Sequence, residues 1–137
     1  MTDVVLAVDA GTTGVRTVAV GTDGVSRAFA YRELPQHYPR PGWVEHDPDE
    51  IWRSVQDTLG EVVTAVERNG DTVVAIGITD QRETVVVWDR HTGRPRHRAI
   101  VWQDRRTAAR SGAPTASSAS TSRGPAGSSM TRQRSGT

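Results

Sequence analysis

The chain has 137 residues, enough for one domain, with 17 basic and 16 acidic side chains, and every basic residue is an arginine. It contains no cysteine, which excludes disulfides, thiolate chemistry and cysteine-ligated metal sites. Residues 1–106 carry thirteen arginines and all the acids, whereas residues 107–137 carry four arginines and no acid, so the near-neutral total describes neither part. No charged-then-apolar leader opens the sequence, and no apolar run nears the roughly 20 residues of a membrane span. The expectation is a cytoplasmic chain with no membrane partner.

Residues 4–8 (VVLAV) form a continuous apolar run ending at Asp9-Ala10-Gly11, which reads as a fully buried strand. Residues 15–20 (VRTVAV) resume the β pattern, GTDG at 21–24 is a turn by composition, and 25–32 (VSRAFAYR) alternate as a third strand. Three strands joined by tight turns predict an antiparallel meander. A loop rich in proline and aromatics follows at 33–46. Asp47 then predicts an N-cap, with Pro48 in the first helical turn and Asp49 and Glu50 at the positive end of the helix dipole. Trp52, Val55, Leu59, Val62, Val63 and Val66 recur at helical spacing up to Asn69-Gly70. Residues 73–79 (VVAIGIT), 84–89 (TVVVWD) and 99–104 (AIVWQD) read as three more strands, and Asp104 opens a further helix. The order β-β-β-α-β-β-β predicts an α/β fold with a mixed sheet.

Residues 109–137 are Ala, Arg, Ser, Gly, Pro and Thr with a single Met and a single Gln. Such a segment buries too little apolar surface to offset ordering, which costs about 1–2 kcal/mol per residue. It is expected to be disordered. Two origins stay open: a natural extension, or an out-of-frame ending in GC-rich coding, which the abrupt break favours.

Two polar clusters carry candidate chemistry. In DAGTTGVR (9–16), a carboxylate at a strand end suits a hydrated Mg²⁺, which prefers oxygen ligands and keeps its waters. Thr12 and Thr13 offer hydroxyls and backbone N–H groups to a phosphate, Gly14 permits close backbone approach, and Arg16 adds charge-assisted bonds. An ordinary hairpin turn would use the same residue types. In TDQRET (79–84), Arg82 can donate to a polyol and Glu83 can accept from it, against the alternative of a solvated surface pair. Trp88 reads as core, and Trp102 as either core or a ligand platform beside the polar QDRR. The four histidines, 37, 46, 91 and 97, lack metal-ligand spacing and read as loop or surface residues. RPRHR at 94–98 reads as a solvated turn, without a nucleic-acid partner.

Taken together, DAGTT, GWVEHDPDEIW (42–52), IGITDQRETVVVWD (76–89) and AIVWQDRRTA (99–108) closely resemble the N-terminal part of the FGGY carbohydrate kinases, and among these the glycerol kinases. The resemblance covers residues 4–108. It implies a partial ribonuclease H-like (actin-like ATPase) domain over 1–108, with the low-complexity tail at 109–137. It also implies transfer of the ATP γ-phosphoryl to glycerol with Mg²⁺, giving sn-glycerol 3-phosphate, and homo-oligomers among full-length relatives. By motif, Thr12, Thr13, Gly14 and Arg16 would contact ATP phosphates, and Asp9 would hold Mg²⁺ through water. Arg82 and Glu83 would bind glycerol hydroxyls, with Trp102 against the carbon skeleton. No catalytic base falls within the chain, because the family's lies beyond residue 108. Three positions depart from the family pattern: Ala10 replaces Gln, Gly14 replaces Ser and Asp80 replaces Asn. The expectations are therefore a glycerol kinase lineage without turnover by this chain alone, then a non-catalytic fragment with weak phosphate affinity, then a kinase for a neighbouring polyol or sugar.

Overall fold

Strand alternation builds the first layer of the computed structural model, which describes residues 1–108. In β1 (Asp3–Ala10), Val4, Leu6 and Val8 are buried while Val5 and Ala7 are exposed. In β2 (Gly14–Gly21), Val15, Thr17 and Ala19 are buried, and in β3 (Ser26–Glu33) Ala30 is. The buried set faces one helix, α1 (Pro48–Arg68). The VVLAV run is thus covered on one face only, where continuous apolarity suggested burial on both. The three strands pair antiparallel as the sequence predicts, through a turn in which Gly24 has φ 77° and Asp23 accepts the Val25 N–H.

Asp47 caps α1 by accepting the Asp49 N–H at 2.9 Å. The helix ends where Asn69 caps it and Gly70 takes φ 74°, with the Gly70 N–H on the Glu67 carbonyl. Its core-facing stripe runs through the partly buried Ile51, Val55 and Leu59 and the buried Val62 and Val66, packed on Val4, Leu6, Val8, Val15, Ala19, Ala30 and Leu34. Trp52 lies about a quarter turn off that stripe and is exposed, so Ile51, and not Trp52, opens the core face. A buried hydroxyl pair crosses the interface. Thr17 Oγ1 donates to Thr58 Oγ1 at 2.9 Å, and Thr58 in turn donates to the Ser54 carbonyl.

After α1 the chain enters β5 (Thr72–Asp80), parallel to β1, giving a mixed sheet in the order β3-β2-β1-β5. α1 does not reach the outer half of β5, where Ile76 and Ile78 stay exposed. Two short strands, β4 (Glu45–His46) and β6 (Ala99–Ile100), make a second small sheet. The expected strand at 84–89 is instead extended chain with single bridges, Val85 to Ile100 and Trp88 to Pro95. Pro95 has no N–H to give a ladder, so pairing cannot propagate. Strand 99–104 likewise stops at Ile100: the Val101 N–H still reaches the Val44 carbonyl, but the Val44 N–H is taken by the Asp104 carboxylate and gives no return bond. Trp88 is exposed, not core, and of the histidines His46 is buried within β4, not on the surface. Residues 102–103 and 106–107 form turns and a helix begins only at Ala108; the rest of the predicted helix and the whole 109–137 tail lie outside the described residues.

The Thr17–Thr58 pair yields an asymmetric prediction. Thr58→Val strands the buried Thr17 hydroxyl and should lower the unfolding free energy by about 1–3 kcal/mol, whereas Thr17→Val leaves Thr58 its Ser54 bond and should cost less than about 1 kcal/mol. Urea titrations of the two variants and the double variant check both values and their non-additivity.

Candidate active site

The parallel pairing of β1 and β5 aligns Ala10 with Asp80, so the two strands end level. The turn 11–13 and the loop 81–84 therefore leave the sheet side by side, and a cleft of about 410 Å³ opens between them. Its walls are Gly11 and Thr12 on one side, Asp80, Gln81, Arg82 and Glu83 on the other, with Trp102 closing the end.

Two hydrogen bonds tie the walls together. Trp102 Nε1 donates to Thr12 Oγ1 at 3.1 Å, which leaves the Thr12 hydroxyl its own proton to donate. Gln81 Nε2 donates to the Gly11 carbonyl at 2.9 Å and stands 3.1 Å from His46 Nδ1, while Gln81 Oε1 accepts from Thr84. Gln81 thereby joins both loops to β4. Burial holds the His46 imidazole below its usual pKa, reinforced by the nearby His37 and opposed by Glu50. A neutral ring accepting at Nδ1 carries its proton on Nε2, and among the described residues that buried atom has no partner. From the other side, Gln36 Nε2 donates to the Thr12 carbonyl at 2.7 Å, and the Leu34 N–H to the Thr13 carbonyl at 3.0 Å. The turn's carbonyls are thus occupied, as is the Gly11 N–H, which donates to the Gly14 carbonyl at 3.0 Å; the Thr12 and Thr13 N–H and O–H groups are the chemistry it presents.

Glu83 sits at φ 59°, in the left-handed region that costs a non-glycine residue about 1 kcal/mol or more. That backbone sets Glu83 beside Arg82 on the cleft wall. Asp9 and Arg16 stand behind the turn. They are register partners on β1 and β2 and form an ion pair of 3.0 Å, half exposed on both sides. A Cβ on Gly11 would lie 3.7 Å from Asp9 Oδ1, so the carboxylate stands against a glycine that lines the cleft. The structure therefore brings Thr12, Arg82, Glu83 and Trp102 into one cleft. Asp9, Thr13, Gly14 and Arg16 lie on the rear of the same turn and do not line it.

Trp102 is held in place by a clasp of charges that spacing does not reveal. Asp104 accepts the Val44 N–H at 2.7 Å and receives Arg106 Nε and Nη2, each at 2.8 Å; Arg106 also reaches Glu45 at 2.7 Å. The Arg106 guanidinium lies 3.9 Å from the centroid of the Trp43 ring. Bonding to Arg106 drives the Asp104 carboxyl well below the usual carboxylate range, against the effect of burial. Gln36, His46, Gln81 and this clasp all support the site, and each makes a bond to a partner 24 to 70 residues away, beyond any local motif.

The model of the N-terminal domain of the FGGY family of carbohydrate kinases matches residues 4–113. The chain belongs to that family, and its fold is the opening of the family's ribonuclease H-like domain. It is 56% identical over 104 residues to the glycerol kinase of Rhizobium rhizogenes, covering 76% of this chain and 21% of that protein. It is 55% identical over 105 residues to the glycerol kinase of Rhodospirillum centenum, covering 77% and 21%. Among solved structures, Plasmodium falciparum glycerol kinase with ADP superposes with TM-score 0.73 at 34% identity, over 79% of this chain and 22% of that one. The xylulose kinase of Rhodospirillum rubrum superposes with TM-score 0.69 at 28% identity, over 74% and 20%. The chain thus spans about a fifth of the length of the relatives it matches.

The clasp predicts a pH signature. Because the folded-state pKa of Asp104 is depressed, its contribution is complete above the ordinary value of about 3.9 and is given up as the pH falls through that value towards the folded one. Asp104→Asn should lower stability by about 1–3 kcal/mol at neutral pH, with the gap to wild type closing below about pH 3.9. Denaturant unfolding across the acid range checks the sign.

Proposed function

We propose that this chain forms the wall of an ATP-dependent glycerol kinase that receives the nucleotide phosphates and grips glycerol. The observation that carries the reading is the cleft itself, in which the Thr12 hydroxyl and the Arg82-Glu83 pair face one space under Trp102. Glycerol offers three neighbouring hydroxyls on a short apolar chain. Arg82 donates to them, Glu83 accepts from them, and the Trp102 indole covers the carbons. ATP phosphates come to the Thr12–Gly14 turn, where N–H and O–H donors and the Arg16 guanidinium neutralise their charge. In the empty chain Asp9 and Arg16 neutralise each other; a nucleotide draws Arg16 to phosphate and frees the Asp9 carboxylate.

The donor set fits Mg²⁺ held chiefly by phosphate and water. Asp9 is a single hard oxygen ligand, and among the described residues no group of three His, Asp or Glu could form a protein cage. When bound, Mg²⁺ offsets charge on the transferring phosphoryl group. Asp9 holds its water shell, and Thr12, Arg82 and Glu83 fix the distance between acceptor hydroxyl and donor phosphate. Such positioning makes up most of phosphoryl transfer. The general base is assigned to the part of the relatives beyond residue 108. The isolated chain therefore binds without turnover. Consumption of ATP calls for the cytoplasm, and among the described residues no helix is long and apolar enough to cross a membrane.

Amide shifts in an NMR titration test the assignment. Glycerol should move residues 80–84 and the Trp102 indole, and Mg·ADP should move residues 9–16. A silent cleft would overturn the proposal, and tighter binding of a pentitol than of glycerol would shift it to a neighbouring polyol. Glu83→Gly should abolish the glycerol response while raising stability by about 1 kcal/mol, because it relieves the left-handed backbone. Thermal unfolding of the same variant reads the second half.

A further inference from the structure

Gly14 is where the phosphate turn is most crowded. It is buried, and a Cβ there would collide with the Tyr31 hydroxyl and stand 2.5 Å from both the Tyr31 Cζ and the Arg32 carbonyl oxygen. The third position of Thr12-Thr13-Gly14 thus has no side chain, and a phenol fills the space one would take. Strand register places it there. Arg16 is paired with Asp9 across β1 and β2 and with Tyr31 across β2 and β3, so Asp9, Arg16 and Tyr31 form one cross-strand row. The row lies on the sheet face away from α1, since Val15 and Thr17 on either side of Arg16 are buried beneath the helix.

The Tyr31 hydroxyl is available. It donates to the Thr13 carbonyl at 3.3 Å, longer than the roughly 2.7–2.8 Å of an ordinary O–H···O bond. That carbonyl keeps the Leu34 N–H at 3.0 Å, so the phenol proton can turn away without stranding it. Packing alone does not call for the hydroxyl. Phe29, two residues earlier on the same face of β3, presents a bare ring.

We propose that Tyr31 is a phosphate-binding residue. Its hydroxyl donates to a phosphoryl oxygen of the nucleotide seated on the Thr12–Gly14 turn, beside Arg16, and supplies the hydroxyl that residue 14 lacks. This rests on the assignment of that turn to nucleotide phosphates.

The test uses the whole 137-residue chain, with Mg·ADP and adenosine as probes and amide shifts of residues 11–16 as readout. Tyr31→Phe keeps the ring against Gly14 and should weaken Mg·ADP about tenfold, as loss of one hydrogen bond to a charged oxygen requires. Adenosine, which has no phosphate, should respond alike in both proteins. If Tyr31→Phe binds Mg·ADP like wild type while Arg16→Ala does not, the inference fails and the turn assignment stands. An equal loss for adenosine also sinks it. Wild type without any Mg·ADP response at 11–16 overturns both. Should Tyr31→Phe lower the unfolding midpoint, the wild-type chain decides alone: Mg·ADP must shift the Tyr31 ring protons and leave those of Phe29 in place, and the reverse pattern refutes the assignment.

Discussion

Everything at the candidate site depends on the parallel pairing of β1 with β5. Antiparallel strands would send their following loops to opposite ends of the sheet. Parallel ones send them to the same end, and in open α/β sheets ligands bind in the crevice at the carboxyl ends of the strands. The pairing includes a register shift between Val4 and Val5, after which Leu6, Val8 and Ala10 face Ile76, Ile78 and Asp80. A slip by one residue would turn Asp80 to the other face and carry Gln81 away from the Gly11 carbonyl it bonds. The helix makes the pairing possible. A 21-residue α1 lies between the β3 edge of the meander and β5, and its Gly70 turn returns the chain beside β1.

Much of this was legible because the signals are local. The Asp47 cap, the Pro48 start and the valine stripe define α1 from sequence alone, and period-two alternation defines the meander. The polar runs 9–16 and 79–84 stand out because strand ends do not need acids, hydroxyls and arginines together. What stayed hidden is tertiary. Trp52 and Trp88 look like core by hydrophobicity, yet the core stripe is set by Ile51 and the extended chain at 84–89 has no layer over it. His46 has no metal-like spacing, and its burial follows from β4 being held between β6 and the helix start. Gln81 sits inside a quoted motif, but its role is visible only once residue 11 is beside it. Nor could spacing foresee that Gly14 yields its room to Tyr31, seventeen residues on.

The supports of the site are polar, partly strained and incompletely satisfied, whereas the core beneath α1 is apolar and well packed. Glu83 is held at a positive φ, and among the described residues the buried His46 Nε2 has no acceptor. Sites commonly hold such costs because the surrounding structure over-determines them. Here the over-determination is traceable. Gln36, Gln81, Trp102 and Leu34 each fix one atom of the 11–13 turn, and Asp104 and Arg106 fix the segment that carries Trp102.

This division also explains how a chain with one covered face can still shape a cleft. The apolar contacts of α1 concentrate on β1, β2 and β3, with Val73 at the start of β5 packed against them. β5 contributes position: among the described residues its outer edge has no partner strand, and Ile76 and Ile78 are uncovered. An open edge with exposed isoleucines invites pairing with further chain. The cleft has the same one-sided character: among the described residues it is lined by the two loops and Trp102 and is open on the remaining side. On the proposed reading, a triol held on one side only dissociates as easily as it arrives, and a phosphate on the Thr12–Gly14 turn remains in water. Water screens the charge on Arg16 and weakens the hydrogen bonds that phosphoryl transfer relies on. The geometry is therefore that of an open, one-sided cleft, and among the described residues the unpaired edge of β5 is where the sheet can be extended.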